Sequence, residues 1–308
     1  MFRSALVRLA ARDRRVWCCD SDMGGLLGSF GTELPEQYVD VGIAEAALMG
    51  VAAGLAAGGK IPFVHTMASF AMLRAGEQVK VDIAYNRLPV HIAATHGGLS
   101  GGLLGPTHHA LEDLAVARAL PHMTVVVPSD NVSAAALVPL LVELPGPSYS
   151  RLERRGDGDP SPVSDEPFVL GRARRLRAGG DVTIVACGPH PVRAALDAAG
   201  LLGAAGISAR VLEMATLKPL DGSALLDAAT ATGRIVTVEE HNVIGGLGSA
   251  VAEVLSEQLP VPVRRIGVRD RFSTYVGDHA ELLRHHRITD TAVAAAAADL
   301  CGVAIGDT

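Results

Sequence analysis

The sequence predicts an α/β protein made of two doubly wound domains, the first on a mostly parallel sheet and the second smaller. Short β-branched runs alternate with longer Ala/Leu segments of helical period, the pattern of parallel strands covered by helices. The alternation comes in two series, and a length of 308 residues suits two domains that each bury a core. Between the series lies Arg154-Arg155-Gly156-Asp157-Gly158-Asp159-Pro160-Ser161-Pro162, rich in Gly, Pro and charge and without apolar period.

In chain order, an Ala/Leu/Val helix over 3–12 leads to a strand at 16–19 and then to another at 38–41. A Gly/Ala-rich helix over 43–58 connects to strand 61–65, and a helix over 69–84 to strand 90–95. Helix 109–119, strand 124–127, helix 130–142 and strand 148–152 complete the first series. The second begins at strand 182–187 and continues through helix 190–204, strand 209–213, helix 220–230, strand 235–239, helix 246–258 and strand 263–268. Helices over 278–285 and 289–301 close the chain. The expected domains are therefore 1–155 and 181–308, joined by a linker over 156–180.

Composition removes several functional classes. Lys+Arg number 27 against 33 Asp+Glu, so a chain of net charge −6 has no electrostatic reason to seek a phosphate backbone. With 49% hydrophobic and 19% charged residues the chain is neither disordered nor membrane-spanning, because its most apolar stretch, 41–59, carries Glu45. Arg3, Arg8 and Arg12 interrupt any secretory signal, and Cys18, Cys19, Cys187 and Cys301 have no CxxC spacing, so the cytoplasm is the expected compartment. So much apolar surface per charge points to a large protein interface or to very close helix packing.

Sites in open α/β sheets lie beyond the carboxyl ends of strands, which directs attention to the turns there. Strand 38–41 runs through Gly42 into a helix with Glu45 in its first turn. That position suits a carboxylate facing the helix dipole. The helix carries Gly50, Gly54 and Gly58, each costing about 1 kcal/mol of helix propensity relative to Ala, a loss tolerated where another backbone packs closely. Glu45 is then a nearly buried carboxyl suited to acid–base work. After strand 90–95 a five-glycine loop is bracketed by His96 and His108, residues suited to titration near neutrality or to binding phosphate.

Three other glycine signals are weaker. Gly98-Leu99-Ser100-Gly101-Gly102 is a formal nucleophile elbow, but further glycines follow where a helix should begin, so a serine hydrolase is a distant reading. Gly156-Asp157-Gly158 imitates a diphosphate–magnesium motif, yet Asn86, Asn131 and Asn242 do not stand at a suitable distance downstream. Gly245-Gly246-Leu247-Gly248 lacks the last glycine of a dinucleotide fingerprint and reads as a helix-start turn.

Several of these segments together resemble thiamine-diphosphate enzymes of the transketolase group: Asp40-Val41-Gly42-Ile43-Ala44-Glu45, Ile61-Pro62-Phe63, Ser69-Phe70, Thr95-His96, Gly105-Pro106-Thr107-His108 and Pro128-Ser129-Asp130. Ser150-Arg151, Thr216-Leu217-Lys218-Pro219-Leu220-Asp221 and Val238-Glu239-Glu240-His241 extend the resemblance over nearly the whole chain. It is that of the C-terminal subunit of a split transketolase, with a pyrimidine-binding and a C-terminal domain but no diphosphate-binding domain. The resemblance implies that Glu45 hydrogen-bonds the cofactor's aminopyrimidine and favours the imino tautomer that activates the thiazolium, so that a two-carbon unit passes from a ketose to an aldehyde. It further implies that Phe70 stacks on the pyrimidine, that Asp22 lies near it, and that His96, His108, Arg151 and Leu104 meet substrate. His96 shares the catalytic role with Glu45, and Arg151 offers a fork for a sugar phosphate.

A missing diphosphate domain implies a partner chain that holds Mg²⁺ and the diphosphate, in an α2β2 assembly. The loop departs from the family's Gly-Glu-Asp-Gly-Pro-Thr-His: Leu103 and Leu104 replace two carboxylates, which implies a specialised enzyme of secondary metabolism with altered sugar preference. Two alternatives share these domains and this glutamate: a β-type 2-oxoacid dehydrogenase subunit or deoxyxylulose-phosphate-synthase-like enzyme, and a non-catalytic binding subunit.

Overall fold

The computed structural model describes residues 1–24, 30–153 and 164–304. The first series forms β1 (Val16–Asp20), β2 (Tyr38–Asp40), β3 (Ile61–Met67), β4 (His91–Thr95), β5 (Thr124–Val126) and β6 (Ser148–Arg151). Its helices are α1 (Phe2–Ala10), α2 (Glu45–Ala57), α3 (Ala68–Leu73), α4 (Gly76–Gln78), α5 (Asp113–Ala119) and α6 (Asn131–Val142). The second series forms β7 (Arg174–Arg177), β8 (Val182–Ala186), β9 (Ala209–Glu213), β10 (Thr216–Lys218), β11 (Ile235–Asn242) and β12 (Val263–Val268). Around them lie α7 (Pro189–Ala204), α8 (Gly222–Thr232), α9 (Leu247–Gln258), α10 (His279–His285) and α11 (Asp290–Cys301).

Two sheets result, one in the order β10-β5-β6-β4-β3-β1-β2 and one in the order β12-β11-β8-β9-β7. All pairings are parallel except the edge strands β10 on β5 and β7 on β9. Central strands are buried on both faces, as helices on either side require: every residue of β8 and the first six of β3 are buried. Helix starts are fixed by side chains where the sequence supplies them. Asp130 Oδ1 accepts from Ser133 N at 2.6 Å, and Asp278 and Glu281 close a reciprocal cap on α10.

Three expectations change. Residues 174–177 are not linker: Arg174 is buried and its guanidinium pairs with Glu213, stitching β7 to the sheet edge. The remaining core of the expected linker, 154–163, lies outside the described residues. The helix expected over 69–84 is broken into α3, α4 and a wider turn over Val79–Ala84. Finally, β10 leaves the second series to join the first sheet, so the two domains share a sheet edge. Lys218 at its end donates Nζ to the carbonyls of Arg118 and Leu120.

Candidate functional site

The carboxyl ends of β4, β3, β1 and β2 lie side by side in that order along the first sheet, as the registers Met67↔Thr95, Asp20↔His65 and Asp20↔Asp40 require. Beyond them the backbone takes unusual turns. Asp22 and His96 both have φ of +58°, a region that costs a non-glycine residue energy and that persists where the surroundings impose it. Asp40 Oδ1 accepts from Asp22 N at 3.1 Å and from Gly42 N at 2.8 Å, tying the two turns together. Asp20 is fully buried, and its carboxylate accepts from Ser21 N at 2.9 Å and from the Tyr38 hydroxyl at 3.2 Å, with His65 Nδ1 3.3 Å away. Burial, reinforced by Asp20 and Asp40, pushes the Tyr38 phenol well above its ordinary range, so it stays a hydroxyl donor.

Glu45 opens α2 and is only 3% exposed. Its Oε2 accepts from Arg74 Nη1 at 2.8 Å, so the carboxyl is paired, not solitary. The Arg74 guanidinium also lies 4.1 Å over the ring of Phe70, one helical turn earlier. The half-buried Phe70 ring meets His108 edge-on at 5.2 Å. Glu45, Arg74, Phe70 and His108 thus form one chain of contacts, while His96, with Nδ1 3.1 Å from Thr95 Oγ1, and the exposed Asp22 stand on neighbouring turns of the same edge. Leu103 and Leu104 are exposed in a short turn whose Gly105 lies against Val276 of the second domain. No motif singles out Arg74; its signal is a cation four residues after an aromatic residue in an otherwise apolar helix.

Arg151 lies mainly in the interior. It is 5% exposed, its Nη2 donates to the carbonyls of Ala110 and Glu240, and its Nε lies 3.2 Å from Asp113. The guanidinium ties interior backbone together, and the side chain also lines a small cavity with Gly97, Glu153, Cys187, Gly188 and Glu240.

The glutamates of Val238-Glu239-Glu240-His241 are likewise interior. Glu239 accepts from Leu247 N at 2.6 Å and Gly248 N at 2.8 Å, closing the start of α9. A Cβ at Gly246 would fall 1.9 Å from that carboxylate, which explains the glycine. Glu240 accepts from Leu99 N at 2.5 Å and pairs with His279 at 2.8 Å, anchoring the glycine loop to the second domain.

Ser100 is buried and donates to the Gly97 carbonyl at 2.8 Å, with a single short turn after it where an elbow needs a helix. It is a loop-closing hydroxyl. Among the described residues, no group of three or more His, Cys, Asp or Glu side chains is disposed to hold a metal ion, and no helix is long and apolar enough to cross a membrane.

The family of the chain follows from comparison. Residues 1–156 match the family described as "Transketolase, pyrimidine binding domain" and residues 171–293 that described as "Transketolase, C-terminal domain". The chain belongs to the transketolase family. Similar proteins include an apulose-4-phosphate transketolase subunit of Phocaeicola vulgatus, 45% identical over 287 residues that cover 92% of this chain and 91% of that one. A 6-deoxy-6-sulfo-D-fructose transketolase subunit of a Clostridium species is 45% identical over 269 residues, 87% of this chain and 83% of its own. Among solved structures, "Split gene transketolase, inactive beta4 tetramer" superposes with a TM-score of 0.88 at 44% identity, covering 98% of this chain and 97% of the other. Transketolase subunits therefore match over most of their length, and this transketolase-type transferase chain is a subunit of that kind.

Proposed function

We propose that the chain supplies the pyrimidine half of a split transketolase site, and that thiamine diphosphate binds between it and a partner subunit carrying the diphosphate-binding domain and Mg²⁺. The observation that carries this reading is the nearly buried Glu45 carboxylate beside the half-exposed ring of Phe70, a donor-acceptor and stacking pair suited to a planar aminopyrimidine. When bound, thiamine diphosphate supplies the carbon nucleophile that carries a two-carbon unit between ketose and aldehyde. Glu45 holds a proton at the ring nitrogen through the oxygen that Arg74 leaves free, Phe70 stacks on the ring, and Asp22 lines its approach. His96 and His108 hydrogen-bond substrate oxygens and move a proton at the carbonyl, and Leu104 closes on an apolar part of the sugar.

The outer face of α2 supports an α2β2 arrangement. Ala47, Gly50, Val51, Gly54 and Ala57 are exposed with no charge among them, and Ile43, just before the helix, is exposed as well. Nothing lies within 4 Å of where a Cβ would stand at Gly50 or Gly54, so a second backbone has room to approach. The four cysteines are free thiols, which supports a cytoplasmic setting.

The relatives named for apulose 4-phosphate and for 6-deoxy-6-sulfofructose support a specialised sugar in place of the common pentose phosphates. Loss of two loop carboxylates at Leu103 and Leu104 agrees with that choice. The test is reconstitution with a diphosphate-domain partner, thiamine diphosphate and Mg²⁺, followed by a donor and acceptor panel. Turnover by the mixture and by neither chain alone is expected. Equal efficiency with xylulose 5-phosphate and ribose 5-phosphate would remove the specialised-substrate part.

A further inference from the structure

Arg74 is half-exposed, yet it reaches a carboxylate that is almost wholly buried, and it does so while lying on an aromatic face. Ion pairs between two exposed groups contribute little. Here one partner has lost its water, so removing the arginine leaves Glu45 desolvated and uncompensated. A planar guanidinium can direct one N–H edge at the carboxylate and its face at the ring in the same pose, which an ammonium cannot. Phe70 lies in α3 and Arg74, four residues on, caps its end, which sets the stack, while Arg74 Nη1 meets the Glu45 carboxylate at the start of α2.

We infer that Arg74 is a positioning residue for the cofactor: it fixes Glu45 through Oε2 and braces the Phe70 ring, so that both groups meet the aminopyrimidine already oriented. This rests on the reading of Glu45 and Phe70 given under Proposed function. Preorganisation of that kind lowers the ordering cost of binding, so its loss shows first in cofactor affinity.

The experiment uses the assembled complex with wild-type chain, Arg74→Lys, Arg74→Gln and Glu45→Gln. Thiamine diphosphate Kd is measured by titration calorimetry, exchange of the cofactor's C2 proton for deuterium by rapid-quench NMR, and sugar KM by steady-state kinetics. Assembly is followed by analytical ultracentrifugation. Arg74→Gln is expected to raise the cofactor Kd by about tenfold, a loss of about 1.4 kcal/mol, and to slow C2 exchange, with sugar KM and assembly unchanged. Arg74→Lys falls between, since it restores charge without the planar face. A Kd within twofold of wild type for Arg74→Gln, with Glu45→Gln still impaired, overturns the inference and leaves the cofactor reading intact. Loss of thermal stability in Arg74→Gln with unchanged Kd overturns it equally, because a merely structural contact behaves that way. If Glu45→Gln also binds cofactor and exchanges normally, the reading of the site itself is wrong.

Discussion

Replacing Arg151 by Met separates an interior role from a substrate-binding one. The side chain is 5% exposed and its Nη2 serves two carbonyls from different segments, Ala110 and Glu240. Its Nε lies 3.2 Å from Asp113, whose other partner is the Tyr149 hydroxyl at 2.6 Å. Methionine keeps much of the volume but removes the charge, so Asp113, 1% exposed, is left with one neutral donor. Breaking one side of a buried pair costs about 3–5 kcal/mol. At roughly 2–4 °C per kcal/mol for chains of 150–250 residues, the melting temperature should fall on the order of 10 °C. Calorimetry of the purified chain measures the fall. The double variant Arg151→Met/Asp113→Asn should recover part of it, because the stranded charge is gone. An Arg151→Met chain that melts like wild type while its complex shows a raised KM for phosphorylated sugars would refute the interior assignment.

Other outcomes follow from the same physics. Burial holds His91 down to about 3, and His241 and His286 to about 4, against an ordinary 6.5. Because these folded values are depressed, the unfolded chain takes up protons first as the pH drops below 6.5, and stability declines by up to about 1.4 kcal/mol per pH unit for each excess proton. The buried Glu239, raised to about 7, opposes one of the three between pH 4.5 and 7, since there the folded state holds the extra proton. Melting temperature against pH from 7.5 to 5 should therefore fall; a flat profile would contradict the burial of these rings. Leu104→Asp should raise kcat/KM for a fully hydroxylated sugar relative to the preferred one, by about tenfold if a single hydroxyl acceptor is restored. An unchanged ratio places residue 104 away from substrate.

Much of this architecture was legible because local pattern and tertiary environment agree. Val182–Ala186 is a largely β-branched run that ends fully buried, Ile61–Met67 is buried in all but its last residue, and α6 and α10 begin at Asp residues that cap them. What escaped the sequence depends on distant partners. Arg174–Arg177 has no apolar alternation and becomes a strand because Glu213, 39 residues away, pairs with Arg174. Thr216–Lys218 is three residues long and is held by the other domain's sheet. Glu45, Phe70 and the two loop histidines were singled out by motif order, whereas the pairing of Glu45 with Arg74 depends on where the start of α2 meets the residue capping α3. The contacts of Arg151 are of the same kind: its hold on the Ala110 and Glu240 carbonyls comes from segments distant in sequence.

The proposal that this chain holds half of a cofactor site rests on Glu45 and Phe70. Thiamine diphosphate titrated calorimetrically in the presence of Mg²⁺ into this chain, into a diphosphate-domain partner and into their mixture tests it most directly. Tight binding is expected in the mixture alone, abolished or strongly weakened by Glu45→Ala. Full-affinity binding to this chain by itself, or to a mixture carrying Glu45→Ala, would contradict it.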